Sequence, residues 1–324
     1  MKFHRMTTKK LIAAAIVSAI ATAAWAQVPS VGGTWETLAP MPDRRTEVSV
    51  ASDGNLVYVL GGFARPGGGA LAPLAVHAYD PATNSWSTPT SLPAGINHAG
   101  LAYLDGALFV VGGFREATFR ATDRLMIYDI AMGVWRDGAP LPTARGALAV
   151  AVVDGRIHAI GGEGGRGART AHEIYDPATD SWTEAPDMPI GREHIAAAFV
   201  GRDIVVLGGR NGQTSTMTTN EIYNVDAGTW RTGAGVPTGR SGIAAVSLGG
   251  FVYLFGGEQF DTGQSTFDEA ERYDPAADRW ARLPDMPTAR HGLGAAVVDG
   301  RIYVVSGGPQ AGFAFSDIIE RLTP

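Results

Sequence analysis

Six Gly-Gly pairs recur along the chain, Gly61-Gly62, Gly112-Gly113, Gly161-Gly162, Gly208-Gly209, Gly256-Gly257 and Gly307-Gly308, at intervals of 47 to 51 residues. A fixed period of this size marks a repeat architecture, in which one small unit is stacked several times. Six tryptophans keep nearly the same interval, Trp35, Trp86, Trp135, Trp182, Trp230 and Trp280. Tyr79, Tyr128, Tyr175, Tyr223 and Tyr273 stand shortly before five of them.

Residues 143–186 display one unit. A Pro-x-x-Arg opening leads into an apolar run, Asp154-Gly155, and a second apolar run that ends at Gly161-Gly162. Asp-Gly between apolar runs reads as a tight hairpin. His172 to Asp176, the turn residues Pro177-Ala178-Thr179 and a short run around Trp182 follow. The runs are short, flanked by Gly and Pro, and rich in Val, Ile, Tyr and Phe, so each unit is expected to form four antiparallel strands, A to D. A sheet of this size cannot bury both faces alone, and radial stacking of six such sheets removes most exposed edges. The expected fold is all-β, a six-bladed propeller. Thr34-Trp35-Glu36 is an orphan strand D and residues 318–322 a strand C without a successor, so the last blade is expected to be closed by the N-terminal strand.

In the Gly-Gly after strand B, the Tyr-Asp of strand C, the Trp of strand D and the closing Met/Leu-Pro-x-x-Arg, the chain resembles the Kelch family over about residues 33–323. Tyr223-Asn224 replaces Tyr-Asp, Leu322 stands where the last tyrosine belongs, and Ser306 reads as an insertion before the last Gly-Gly. The resemblance implies a Kelch propeller and, for exported bacterial members, either a binding module or a sugar mutarotase or epimerase.

Arg5, Lys9 and Lys10 precede an apolar stretch over residues 11–24, followed by Ala24-Trp25-Ala26. This pattern reads as a secretory signal peptide over 1–26, with a single propeller domain over 27–324. The apolar stretch is shorter than the roughly 20 residues that span a bilayer. The expectation is a periplasmic or secreted monomer, free of the membrane after cleavage. Without cysteine there is no disulfide and no Cys-crosslinked tyrosine, which the resemblance implies for copper radical oxidases. Residues 27–324 carry 22 arginines and no lysine against 32 acidic residues, so Schiff-base chemistry is excluded and nucleic acid is not an expected partner.

Up-and-down topology puts the D-A and B-C loops on one face. Aspartates of the opposite face, such as Asp154 and Asp176, read as turn formers. The Pro-x-x-Arg register places Arg45, Arg145, Arg192, Arg240 and Arg290 at the start of strand A in five blades, with Ile96 in the sixth. B-C loops add Arg115, Arg120, Arg166, Arg169 and Arg210. Guanidinium forks suit carboxylates and phosphates, so these arginines, with His98 and His194, form the candidate ligand-binding set; for each register arginine, bracing of a loop or a neighbouring blade is the preferred reading, and the surplus loop arginines of blades 2 and 3 are the better candidates for contact. Phe63, Phe114, Phe119, Phe260, Phe267, Phe313 and Phe315 stand in the same loops; loop packing is their preferred reading, with cover of the rim or stacking on a sugar or peptide as the alternative.

The expected function is non-catalytic binding of a protein, peptide or glycan, anionic in part, on this face, with no cofactor. The alternative is mutarotation or epimerisation of an acidic sugar such as N-acetylneuraminate, with Glu47, Glu193 and His194 as the acid-base residues. Glu47, His98 and His194 share one position two residues after the register arginine. Because blades 1, 2 and 4 are not adjacent, no metal site is expected from them.

Overall fold

The computed structural model describes residues 28–65, 71–212, 217–261 and 263–324. The expected signal peptide lies outside them. Each repeat forms a four-stranded antiparallel sheet. In the third, Ala149–Val153 pairs with Arg156–Ile160, then His172–Asp176, then Ser181–Glu184. Asp154 and Gly155 both have positive φ, the geometry of a two-residue hairpin turn that matches strand twist. The aspartates of the C-D turns cap the chain locally: Asp176 Oδ1 accepts the N–H of Ala178 at 2.9 Å.

The six sheets surround an axis. Strand A residues from all six, among them Ala51, Ala102, Ala151, Ala198, Ala245 and Ala296, line a cavity of about 360 Å³ at one end of it. Six apolar clusters fill the six interfaces. One joins Tyr58, Leu60 and Val76 to Leu108, Val110 and Tyr128, and another joins Tyr303 and Val305 to Val57, Val59 and Tyr79. Each tryptophan also ties its strand D to the preceding blade, as where Trp182 Nε1 donates to Ala139 O at 2.9 Å and Trp280 Nε1 to Ala234 O at 2.8 Å.

Closure occurs as expected. Thr34–Thr37 pairs with Ile319–Thr323, setting Trp35 opposite Leu322, and completes the sixth sheet. Trp35 Nε1 donates to Pro284 O at 2.8 Å, and its ring meets Phe255 edge-on at 5.9 Å. Upstream, Val31 N and Pro29 O exchange hydrogen bonds with Arg282 on the fifth blade, so the N-terminal segment staples two blades.

The glycine pairs form the seam between blades. The second glycine donates its N–H to the carbonyl of the first residue of the next inner segment: Gly62 to Ile96, Gly113 to Arg145, Gly162 to Arg192, Gly209 to Arg240 and Gly257 to Arg290. This requires the first glycine in the left-handed region, as Gly256 is at φ 58, where a Cβ would lie 2.3 Å from Arg290 O. In the sixth blade Gly307, not Gly308, donates to Arg45 O, and Ser306 adopts φ 60. Ser306 therefore occupies the first-glycine place and is not an insertion. Its hydroxyl turns the close approach into a hydrogen bond, donating to Arg45 O at 2.8 Å.

His158 and His172 form a buried pair in the third blade, with ring nitrogens 2.8 Å apart. Burial pushes His158 down to about 4 and His172 down to about 3, from an ordinary value of 6.5. The unfolded chain takes up these protons first, so the pair's stability is present above about pH 6.5 and is lost as pH falls toward 4. Urea unfolding is expected to weaken by about 2–4 kcal/mol between pH 7 and 5, with the loss much reduced in His158→Gln/His172→Phe. An unchanged midpoint across that interval would contradict this.

Candidate functional site

The five register arginines do not reach a ligand. Arg45, Arg145, Arg192, Arg240 and Arg290 are all fully buried inside their own blades. Arg290 Nη1 donates to Ser306 O at 2.7 Å, and Nη2 donates to Glu320 Oε2 at 2.7 Å. Arg192 makes the corresponding bonds to Gly208 O and, at 2.8 Å, to Glu221. Arg145 pairs with Glu173, and Arg240 Nη2 lies 2.8 Å from Glu271. Four of the guanidinium groups thus neutralise a buried strand C glutamate, Arg45 pairs with Asp43 instead, and all five cap backbone carbonyls, which removes them from the candidate ligand-binding set in favour of bracing.

The glutamate partners were legible but unread. Glu173, Glu221 and Glu271 stand two residues before the strand C tyrosine, and Glu320 two before Leu322. In the first blade that place holds His77, which with Asp43 replaces the glutamate: Asp43 lies 2.8 Å from Arg45 and 3.2 Å from His77. In the second blade, where Ile96 replaces arginine, Met126 replaces glutamate and both are buried. A charged pair is kept whole or replaced whole, as the cost of a lone buried charge demands.

Two residues beyond the register position the chain closes a ring about the axis. Glu47, His98, Ala147, His194, Gly242 and Gly292 occupy it, all with φ between 51 and 63. Backbone bonds link them in order, His98 N to Glu47 O, Ala147 N to His98 O, His194 N to Ala147 O, Gly242 N to His194 O and Gly292 N to Gly242 O. Four members are not glycine, and a left-handed residue with a side chain costs on the order of 1 kcal/mol. The ring is narrow enough that a side chain from blade 4 meets those of blades 1 and 2 across the axis, contrary to the expectation that the three would not converge.

At the mouth of this ring the structure assembles Glu47, His98, His194, His291, Arg210 and Glu258 under Phe63, Phe119, Phe260 and Phe313, around a pocket of about 110 Å³. His98 Nε2 lies 3.2 Å from Glu47 Oε2. His291 Nε2 lies 3.4 Å from Glu258 Oε2 and 3.7 Å from Glu47 Oε1. Glu193 binds His194 Nδ1 through one oxygen and Arg210 Nε through the other. Burial raises the Glu47 carboxyl, and burial together with His194 and Arg210 keeps His98 well below its usual value. Burial alone would raise Glu193, but His194 and Arg210 outweigh it and hold its carboxyl at about 2. His194 is raised, the attraction of Glu193 overcoming burial.

Of the loop arginines, Arg210 alone lines this pocket. Arg115, Arg120 and Arg166 are exposed on their B-C loops, and Arg169 is half-buried with Nη2 3.4 Å from Gly164 O. Phe63 and Phe114 are buried beneath the mouth, whereas Phe119 and Phe313 are more than half exposed above it. Beside it a larger groove of about 640 Å³ runs between the sixth and first blades, lined by Arg44, Arg65, Leu71, Pro73, Phe313 and Phe315 among others. Phe313 belongs to both concavities. Glu258, on the fifth B-C loop, and His291, the residue after register Arg290, complete the axial set.

Residues 147–320 match the KLHDC2/KLHL20/DRC7 Kelch-repeats domain, and residues 44–93 and 97–142 match the Kelch motif. Mouse Kelch-like protein 35 is 30% identical over 138 residues, covering 43% of this chain and 22% of the relative. Kelch-like protein terF of Aspergillus terreus is 31% identical over 144 residues, 43% of this chain and 30% of the relative. Rat Kelch-like protein 36 is 33% identical over 129 residues, 40% of this chain and 20% of the relative. The match spans less than a third of each relative's own length. A solved structure described as "Structure of YjhT" superposes with a TM-score of 0.74 at 16% identity, covering 87% of this chain and 95% of that one, a likeness of fold.

Proposed function

Since the chain belongs to the Kelch-repeat family, whose propellers commonly bind proteins, we propose that it is an exported binding module that takes a protein, peptide or glycan on the D-A/B-C face. The observation that carries this reading is the pair of neighbouring concavities there, a groove of about 640 Å³ and the axial pocket, which share Phe313 as a wall. A groove of that size lies within the roughly 300–1,000 Å³ of ordinary ligand sites, while the axial pocket alone admits a side chain or one edge of a sugar. Exposed phenylalanines above the pocket supply apolar contact that a monomeric surface otherwise avoids. With the register arginines engaged internally, preference for an anionic ligand rests on exposed Arg44, Arg65, Arg115, Arg120 and Arg166. Export rests on the basic and apolar character of residues 1–26.

Peptide and glycan arrays probed with residues 27–324, the terminus expected on protein recovered outside the cytoplasm, test this reading. Captured ligands should carry carboxylate or phosphate groups. Phe119→Ala/Phe313→Ala should weaken capture about tenfold or more, whereas Met132→Ala, on a C-D turn, should not. Capture lost through Met132 and indifferent to the phenylalanines would sink the reading.

A second reading, mutarotation of an acidic sugar, is favoured by the opposite shifts of Glu47, which lines the axial pocket, and Glu193, which backs the pocket's His194 and Arg210, an arrangement that suits acid-base work. NMR anomer exchange on N-acetylneuraminate distinguishes the two. Acceleration that disappears in Glu47→Gln or His194→Ala supports the enzyme, and no acceleration by the wild type excludes it.

A further inference from the structure

We propose that the axial cluster is a binding site for a divalent transition-metal ion, with Glu47, His98 and His194 as ligands and an open position toward the phenylalanine-lined mouth. The inference stands independently of what docks on the rim.

Convergence is the first support. Glu47, His98 and His194 offer ligand atoms that all lie within 4.8 Å of one another, and Glu47, Glu258 and His291 do the same from the other side of Glu47. Ligands held about 2.0–2.1 Å from a tetrahedral ion stand about 3.3 Å apart. The separations of 3.2 Å between His98 and Glu47 and 3.4 Å between His291 and Glu258 match that spacing, and 3.7 Å between His291 and Glu47 is close to it. The longer two exceed the usual length of an N–H···O hydrogen bond. These two belong to the second triad, Glu47, Glu258 and His291, on the other side of Glu47; within the proposed set the 3.2 Å between His98 Nε2 and Glu47 Oε2 is the separation that matches.

Orientation is the second. A ligating imidazole has its other nitrogen fixed by an oxygen, which sets the tautomer and aims the ring. His98 Nδ1 lies 2.6 Å from Asn97 Oδ1, His291 Nδ1 lies 3.1 Å from Gly308 O, and His194 Nδ1 is held by Glu193. All three rings are anchored through Nδ1, leaving Nε2 as the ligand atom. Asn97 is itself fixed, its amide donating to Glu116 O at 2.6 Å.

Charge is the third. Glu47, Glu193 and Glu258 oppose one guanidinium, Arg210, so once a metal ion has displaced any proton from His194 and Glu47 the cluster carries two negative charges, which a divalent cation cancels. Arg210 Nη2 lies 3.3 and 3.2 Å from the two His194 ring nitrogens, so a metal ion on Nε2 takes the place of this contact. Mixed imidazole and carboxylate donors suit Zn²⁺, Co²⁺ and their neighbours more than the all-oxygen preference of Ca²⁺ or Mg²⁺.

The test uses the chain from Gln27 onward, stripped with chelator and dialysed against Co²⁺ or Zn²⁺. One equivalent should be retained, with visible Co²⁺ absorption and paramagnetic shifts on His98 and His194 but not on His158 or His172. Glu47→Gln and His98→Gln should each weaken binding by about a hundredfold with unfolding midpoints of the metal-free protein unchanged, and His158→Gln/His172→Phe should bind as wild type. Wild type that retains no more Co²⁺ or Zn²⁺ than Glu47→Gln would overturn the proposal. So would paramagnetic shifts confined to His158 and His172, a readout on the intact chain that does not depend on any variant folding.

Discussion

Arg290→Ala is expected to destabilise the propeller by about 3–5 kcal/mol, because it strands Glu320 as an unpaired buried charge. The same substitution removes the donor to Ser306 O and Ile318 O, next to the seam where Gly307 donates to Arg45 O. The second blade supplies the compensating design. There Ile96 and Met126 hold the two places, both buried, so no ion pair occupies them. Arg290→Ile/Glu320→Met should therefore recover more than half of the loss, since a buried ion pair exchanged whole for apolar side chains is often neutral or stabilising. Denaturant unfolding of wild type, both single variants and the double variant yields the coupling energy directly. A double variant no more stable than Arg290→Ala would show that the pair acts through something other than mutual neutralisation.

Removal of residues 28–37 should have a comparable or larger effect. It takes away the fourth strand of the sixth blade, the Trp35 contact with Phe255 and the bonds to Arg282 on the fifth blade, and leaves Ile319–Thr323 as an open edge. The truncated chain is expected to lose its cooperative transition or to associate through that edge. Trp35→Ala alone should cost about 3 kcal/mol, the low end for a large aromatic because this ring is only half buried. A truncated chain with an unchanged midpoint and no association would mean that closure contributes little.

Much of this fold is written in short-range chemistry. Asp-Gly, Pro-Ala-Thr and the Gly-Gly pairs dictate local turns, and the Tyr and Trp positions repeat with them, so blade number and closure follow from spacing. The roles of the arginines were less accessible, because Pro-x-x-Arg looks alike whether the guanidinium points to solvent or inward. The deciding signal was the glutamate two residues before Tyr175, Tyr223, Tyr273 and Leu322, with Met126 matching Ile96. Ser306 was misread because two glycines follow it, and only the carbonyl that Gly307 reaches reveals the register. The axial cluster depended on a distance that no spacing encodes. The radius of the left-handed ring is set by six blades meeting, and it decides that Glu47, His98 and His194 touch.

The central claim is that the register arginines hold the blades while the mouth of the axis, with its phenylalanines, meets the ligand. It is tested most directly by measuring how tightly the strongest ligand from the arrays binds to folded Arg290→Ile/Glu320→Met, beside Phe119→Ala/Phe313→Ala. The account predicts affinity within about twofold of wild type for the pair exchange and a loss of about tenfold or more for the phenylalanine variant. Loss of affinity in the folded pair exchange, with the phenylalanine variant unaffected, would contradict it.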